Sequence, residues 1–254
     1  MLRSPSTAPR RHRAVVELGV VTAVVVGLAT GLAACGRGDA RVVVFAASSL
    51  TDVFERLESE FEESHPDVDI VMNFAASSTL VAQLGEGAPV DILATADVDT
   101  MTKAVSTSPR VGEPSVLARN EIVIAVERGN PLDIRSVDDL VDAVVVLAAP
   151  EVPAGAYARS VLACAGVDLD PASLEQNVRS VAAKVALGEA DAGLVYRTDV
   201  SDRLDVVEVP AACQVSAEYQ VLLVADTEDA RRFLAFATGP QGAAALSDAG
   251  FALP

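Results

Sequence analysis

Tryptophan is absent from this 254-residue chain, and aromatic residues make up only 4% of it. Sites that stack nucleobases or similar flat ligands are built from aromatic rings, so the composition disfavours a function based on such stacking. Histidine occurs twice and cysteine three times, with no Cys-x-x-Cys pair and no Cys/His cluster. Since structural zinc sites depend on such clusters, the sequence predicts no zinc site.

Basic side chains are also scarce, 19 against 36 acidic ones, and the formal net charge is −17. Residues 1–34 contain four Arg and one Glu, so the remainder carries 15 basic and 35 acidic residues, a net charge near −20. A surface this acidic repels nucleic acids and anionic lipids. We therefore expect no nucleic-acid partner.

The N-terminal segment points to export. A basic head with Arg3 and Arg13 is followed by an apolar stretch over residues 18–32 and by the run Leu-Ala-Ala-Cys that ends at Cys35. This order resembles a bacterial lipoprotein signal, which implies cleavage before Cys35 and a diacylglycerol on its thiol. The alternative, a transmembrane anchor, needs about 20 apolar residues, and this run is shorter. We interpret residues 1–34 as a signal peptide and 35–40 as a tether that holds the protein at the outer face of the cytoplasmic membrane.

Strand and helix patterns alternate after the tether. Short apolar, β-branched runs predict strands at 41–46, 69–74, 90–94, 122–126, 144–147, 192–196 and 221–225. Apolar residues at helical spacing predict helices at 50–61, 79–84, 156–163, 178–187, 231–237 and 241–249. This alternation predicts an α/β fold with mostly parallel sheets flanked by helices.

Two cysteines remain after the signal, Cys164 and Cys213. In an oxidising compartment such a pair is expected to form a disulfide. The alternative is two buried free thiols, which pack as small hydrophobic side chains.

Four segments rich in small or polar residues each precede a predicted helix, at 46–52, 75–80, 152–155 and 176–179. A helix start carries unpaired N–H groups and a partial positive charge, so it can hold an anion without a charged side chain. Each segment alone also fits ordinary capping: Ser49 with Asp52 matches a capping box, and Asn177 matches an N-cap. Taken singly, none of the four indicates a function.

Together these segments form a recognisable series. The motifs are VFAASSLTDVF (44–54), NFAASSTLVAQ (73–83), GAPVDILATAD (87–97), VPAGAY (152–157), NVR (177–179), GEADAGLVYRTD (188–199) and GFALP (250–254). In this order they resemble the molybdate-binding proteins of bacterial ABC importers, over nearly all of the chain after Cys35. The resemblance implies a two-lobed periplasmic-binding-protein fold of type II. Lobe 1 would comprise residues 41–120 and 221–254, lobe 2 residues 121–220, with chain crossings near Glu121 and Gln220.

The resemblance also implies the ligand contacts. They are the hydroxyls of Ser49, Ser77 and Tyr196 and the backbone N–H groups of Ala154 and Val178. All five are hydrogen-bond donors, which suits molybdate, or the nearly isosteric tungstate, because these tetrahedral dianions offer only acceptors near pH 7.

The chain departs from the family pattern at several places. Ser48 stands where Ala is common and competes with Ser49 as the donor. Ala76 stands where Ser or Gly is common, and Tyr219-Gln220 replaces a usual Tyr-Pro. Arg179 either attracts the anion from behind the contacts or is an ordinary solvated side chain.

The expected function is therefore extracytoplasmic binding of molybdate or tungstate and its delivery to an ABC permease, by a monomer without cofactor. Another oxyanion such as sulfate or phosphate is the first alternative, although protonated phosphate would require an acceptor that the five contacts lack. A hydrolase with Ser49 or Ser77 as nucleophile is the second. Such a serine needs a base, and His65 is the only His after Cys35. No Ser-x-x-Lys or Gly-x-Ser-x-Gly motif is present, so we do not expect an enzyme.

Overall fold

Residues 40–107 and 112–254 are described by the structure, a computed structural model. The signal peptide, the lipid anchor at Cys35 and most of the tether lie outside the described residues, so these predictions are not addressed by it. Within the two described ranges, no helix combines the length and the apolar character that crossing a membrane requires.

The described residues form nine strands and seven α-helices. The strands are β1 (Ala40–Ala47), β2 (Val68–Ala75), β3 (Ile92–Thr95), β4 (Ser115–Glu127), β5 (Val145–Ala148), β6 (Ser173–Glu175), β7 (Ala192–Tyr196), β8 (Leu204–Val207) and β9 (Ser216–Leu223). The helices are α1 (Thr51–Ser64), α2 (Ser77–Gly85), α3 (Val98–Thr107), α4 (Pro153–Ala165), α5 (Val178–Ala186), α6 (Glu228–Thr238) and α7 (Pro240–Asp248). Every strand and helix predicted from the sequence is present.

The strands follow the order β2-β1-β3-β9-β4-β7-β5-β6, and β8 pairs with β4. Parallel pairs join β1 to β2 and β3, and β5 to β6 and β7. The antiparallel pairs all involve β4 or β9. The first part of β4, up to Glu121, pairs with β9, whereas the part from Ile122 onward pairs with β7. A single strand thus passes from one half of the sheet to the other.

The apolar faces of the helices explain their packing. Along α1, Phe54, Leu57 and Phe61 are buried at helical spacing, and Phe61 meets the Phe233 ring edge to face with centroids 5.2 Å apart. α1 ends at Ser64, and His65 follows as its C-cap, stacked on Phe61. His65 is therefore held at a turn, and it is not among the residues that line the pocket described below.

The sequence did not predict α3, β6, β8 or the full lengths of β4 and β9. β6 has three residues, and only Leu204 of β8 is buried, so neither shows a clear apolar period. β9 alternates buried and partly exposed residues through Glu218 and Gln220. The first half of β9 therefore has no unbroken apolar run, which was the signal used to predict strands, and it is held in the sheet by pairing with β4.

A disulfide joins Cys164, near the end of α4, to Cys213, with their Cα atoms 5.5 Å apart. The separation lies within the range that a disulfide requires. The pair is the one expected from the sequence.

We expect thiol counting on the denatured, unreduced chain lacking residues 1–35 to find no free thiol, because Cys164 and Cys213 are joined. Reduction before counting is expected to expose both. Two free thiols per chain without reductant would contradict the bond.

Candidate anion-binding site

A pocket lies where several strands of the sheet end and helices begin. Residues of both halves of the sheet line it: Ala47, Ser48, Ser49, Ala75, Ala76, Ser77, Ala96, Val152, Pro153, Ala154, Val178 and Tyr196. All five binding residues expected from the sequence are among them. The pocket is small: its empty space, including the open solvent at its mouth, is about 190 Å³. Its size therefore suits a small ligand.

The helices that face the pocket begin largely without side-chain caps. In the described chain, no side chain caps the turn at Ser48–Leu50, the start of α2 or the start of α4. At α5 the Asn177 side chain accepts a hydrogen bond from the Ser180 N–H, 2.9 Å long, which leaves the earlier N–H of Val178 uncapped. The first N–H groups of a helix have no partner within the helix. These helix starts therefore supply donors to the pocket.

The start of α4 is fixed by close packing against the end of β5. A Cβ atom on Gly155 would lie 2.1 Å from the carbonyl oxygen of Ala149 and 2.4 Å from that of Ala148. Only glycine permits this approach, and Pro153 begins the helix at a position where proline is favoured. The Pro-Ala-Gly sequence thus places the backbone of Ala154 at the pocket wall.

Two serine hydroxyls in the pocket already have hydrogen-bond partners within the protein. Ser77 Oγ accepts the backbone N–H of Ala96 at 3.0 Å. Ser49 Oγ lies 2.8 Å from the hydroxyl oxygen of Tyr219 on β9. Ser48 also lines the pocket, and its carbonyl accepts from the Thr51 hydroxyl. The capping box considered for Ser49 is not formed, because Leu50 is the N-cap of α1 and no side chain caps that helix start.

Tyr196 is the most distinctive residue of the site. Its side chain is buried, and its hydroxyl has no hydrogen-bond partner among the described residues. Its ring is held edge to face against Tyr157 and Tyr219, with centroids 6.5 and 5.6 Å away. Burial raises the pKa of Tyr196 well above its usual value, so the phenol stays protonated and can donate. A buried hydroxyl without a partner is costly, which suggests that a ligand completes it.

Sequence reasoning missed a charged cluster beside the pocket. The Arg179 guanidinium pairs with Asp52 on α1, at 3.1 Å (Nη1–Oδ1) and 2.7 Å (Nη2–Oδ2). Its Nε lies 3.5 Å from Oδ1 of the buried Asp199. Arg179 is therefore neither a free cation nor a plain solvated side chain. Asp52 is 127 positions from Arg179 in the sequence, and Asp199 belongs to a different motif, 188–199. No local sequence pattern therefore indicates that either carboxylate contacts Arg179.

Burial raises the pKa of the Asp199 carboxyl from 3.8 to about 7, against the opposing effect of Arg179. The folded protein thus holds this proton more tightly than the unfolded chain. The resulting stabilisation is fully present below the unfolded pKa and is lost as the pH rises through about 7. We expect the free energy of unfolding of the wild type, relative to Asp199→Asn, to fall as the pH rises from about 4 to about 7. Urea unfolding of both proteins across that range tests this; a pH-independent difference would contradict it.

The uncapped helix starts and the hydroxyls give the pocket neutral hydrogen-bond donors, and no acidic or basic side chain is among the residues described as lining it. Within the described ranges, no group of three or more His, Cys, Asp or Glu side chains could hold a metal ion. The fold and site are those of a binding protein for a small solute.

The chain belongs to the bacterial extracellular solute-binding protein family, whose sequence model matches residues 42–252. It is accordingly a binding protein and not an enzyme. Among its relatives is the molybdate-binding protein ModA of Mycobacterium tuberculosis, 36% identical over 93% of this chain and 97% of that protein.

Solved structures share the fold. The periplasmic molybdate-binding protein of Azotobacter vinelandii matches with a TM-score of 0.69, 20% identity, and coverage of 84% of this chain and 99% of that one. The sulfate-binding protein SubI of M. tuberculosis matches with a TM-score of 0.71, 16% identity, and coverage of 84% and 86%. The two-lobed α/β fold predicted from the sequence is thereby confirmed. Because the same fold serves proteins named for different oxyanions, the fold alone does not identify the ligand.

Proposed function

We propose that this protein binds molybdate, or tungstate, in the pocket between two lobes and delivers it to an ABC permease. The observation that carries the proposal is the convergence of donors in one pocket. Hydroxyls of Ser49, Ser77 and Tyr196 and the helix-start backbone at Ala154 and Val178 all line it. No acidic or basic residue is among the residues described as lining it.

Such a pocket suits a dianion that has only acceptors. Hydrogen bonds to an ionised group are shorter and stronger than those between neutral groups, and helix N-termini add a favourable partial charge. The acidic surface of the protein repels an approaching anion over a distance. The donors therefore have to supply the attraction locally, which uncapped helix starts do.

The lobes we propose are residues 41–120 with 221–254, and residues 121–220. Support comes from the strand pairing. β4 exchanges β9 for β7 as its partner between Glu121 and Ile122, and β9 begins to pair with β3 at Gln220. Ser49 and Ser77 then belong to lobe 1. Ala154, Val178 and Tyr196 belong to lobe 2, so a ligand bound by all five bridges the cleft.

The ion pair between Arg179 and Asp52 joins the same two lobes. Arg179 lies on α5 in lobe 2, and Asp52 lies on α1 in lobe 1. The Asp52 side chain is 70% exposed, so the pair adds little stability by itself. Its two-point geometry nonetheless favours one mutual orientation of the lobes. A ligand shifts a two-state protein toward the state that it binds better. A ligand that bridges the lobes and the Arg179–Asp52 ion pair would both favour the closed state, in which the two lobes are in contact.

The alternatives differ in what the pocket would have to offer. Protonated phosphate brings a hydroxyl of its own, which requires an acceptor. Sulfate has the same donor requirement as molybdate and is smaller, so discrimination between them depends on the fit to the cavity. Tungstate is nearly isosteric with molybdate, and we expect both to bind.

Isothermal titration calorimetry of residues 36–254 against sodium molybdate, tungstate, sulfate and phosphate tests the ligand. We expect one site per chain, tight binding of molybdate and tungstate, and much weaker binding of sulfate and phosphate. Preferential binding of sulfate would replace our proposal with the first alternative. Binding of none of the four would overturn an oxyanion function altogether.

We further propose that the protein is a monomer tethered by a lipid on Cys35 to the outer face of the cytoplasmic membrane, next to its permease. The support is the Leu-Ala-Ala-Cys sequence behind a basic and an apolar segment.

Replacing Cys35 with Ala is expected to release the protein from the membrane fraction and to abolish incorporation of labelled palmitate, because the thiol that carries the lipid is gone. Cell fractionation with metabolic labelling measures both. Equal membrane retention of the variant, or an unlabelled wild type, would contradict the anchor.

A further inference from the structure

The hydroxyl of Tyr219 lies behind the pocket, in contact with one of the residues that line it. Its oxygen is 2.8 Å from Ser49 Oγ, and both side chains are buried. Tyr219 itself does not line the pocket. Its ring lies between those of Tyr196 and Phe251, with centroids 5.6 and 5.3 Å away. The surrounding rings thus hold its hydroxyl in place beside Ser49.

Counting hydrogens fixes the direction of this contact once an oxyanion is bound. A serine hydroxyl has one hydrogen and two lone pairs. An oxyanion such as molybdate offers only acceptors, so Ser49 must donate its single hydrogen to the ligand. Tyr219 then has to be the donor in its hydrogen bond with Ser49. The order becomes Tyr219 O–H to Ser49 Oγ, and Ser49 O–H to the ligand.

Ser77 shows the same arrangement with a donor whose direction is certain. Its Oγ accepts the backbone N–H of Ala96, at 3.0 Å, and a backbone N–H can only donate. The hydroxyl hydrogen of Ser77 is therefore left for the pocket. Both serines expected to bind the ligand thus have a hydrogen-bond partner within the protein.

We propose that Tyr219 is a positioning residue that orients the Ser49 hydroxyl as a donor before the ligand arrives. The inference rests on the proposed binding of an oxyanion at this pocket and adds a residue that does not touch the ligand. A free hydroxyl has three staggered rotamers to choose from, and a hydrogen bond received by Ser49 also polarises the one that it gives. Tyr219 therefore strengthens ligand binding by both effects, and each of them requires the Ser49 hydroxyl.

A double-mutant cycle tests this route of action. Sodium molybdate is titrated calorimetrically into the wild type, Tyr219→Phe, Ser49→Ala and the double variant. We expect Tyr219→Phe to weaken binding roughly three- to tenfold and Ser49→Ala to weaken it roughly ten- to a hundredfold. In the Ser49→Ala background, Tyr219→Phe should have less than about a twofold effect, because the hydroxyl that it orients is absent.

A purely structural tyrosine would give a different result. Its loss would weaken binding by the same factor with or without the Ser49 hydroxyl, and that additivity would overturn the inference. No effect of Tyr219→Phe on molybdate affinity would overturn it as well. If the wild type binds no molybdate, the proposed function fails first, and the inference fails with it. The titrations therefore show which of the two claims is wrong.

The ratio of phosphate to molybdate affinity gives a second readout. Without Tyr219, Ser49 can rotate and accept a hydrogen bond from a protonated anion. We expect Tyr219→Phe to raise this ratio at least threefold, and an unchanged ratio would count against donor orientation.

Discussion

Replacing Tyr196 with Phe is expected to weaken molybdate binding roughly ten- to a hundredfold, which corresponds to about 1.5–3 kcal/mol. The substitution removes one hydroxyl and keeps the ring. In the ligand-free protein that hydroxyl is buried without a partner among the described residues. Its removal therefore breaks no hydrogen bond there and relieves an unsatisfied polar group. The substitution should therefore weaken molybdate binding while the stability of the ligand-free protein rises or stays unchanged.

Calorimetry gives the affinity, and thermal unfolding without ligand gives the stability. Tyr157→Phe is the matched control, because the Tyr157 ring packs against Tyr196 but does not line the pocket. That variant should bind molybdate like the wild type. If Tyr196→Phe kept the wild-type affinity and melted at a lower temperature, Tyr196 would be a core residue rather than a ligand donor.

Replacing Val178 with Pro is expected to lower molybdate affinity by a similar factor, roughly ten- to a hundredfold, by deleting a backbone donor. Val178 is the first residue of α5, a position where proline is favoured because its missing N–H has no helical partner. The preceding Asn177 is extended, with φ −158° and ψ 169°, and an extended residue is compatible with a following proline. The helix should therefore survive the change.

Val178→Ala separates the backbone from the side chain. It removes the buried isopropyl group and keeps the N–H, so it should lose some stability and retain most of the affinity. Circular dichroism checks that both variants fold. Equal affinities of Val178→Pro and Val178→Ala would mean that the Val178 N–H does not contact the ligand.

The elements of the fold could be predicted from local signals, whereas the five pocket residues were implied by the resemblance to molybdate-binding proteins. Apolar periodicity marks strands and helices such as β1 and α1, and the small or polar segments ahead of α2, α4 and α5 mark helix starts. The motifs place all five expected residues in segments that the structure brings to one pocket.

The contacts behind the pocket could not be predicted in that way. Ser49 and Tyr219 are 170 positions apart, and Asp52 and Arg179 are 127 apart. Such pairs are formed by the way in which β9 and α5 pack against the start of α1, and neither partner has a sequence pattern that refers to the other. Ser49 and Asp52 suggested a capping box when read locally. The structure instead uses the first with Tyr219 and the second with Arg179.

The central claim is that a molybdate ion is held by five donors in this one pocket. The most direct measurement is a crystal structure of residues 36–254 with molybdate, with anomalous diffraction recorded on both sides of the molybdenum absorption edge. We predict one molybdenum peak in the pocket. Its oxygens should lie within hydrogen-bond distance, about 2.7–3.2 Å, of the hydroxyls of Ser49, Ser77 and Tyr196 and the backbone nitrogens of Ala154 and Val178. A contact from Ser48 in place of Ser49 would correct one donor; a peak outside this pocket would contradict the claim.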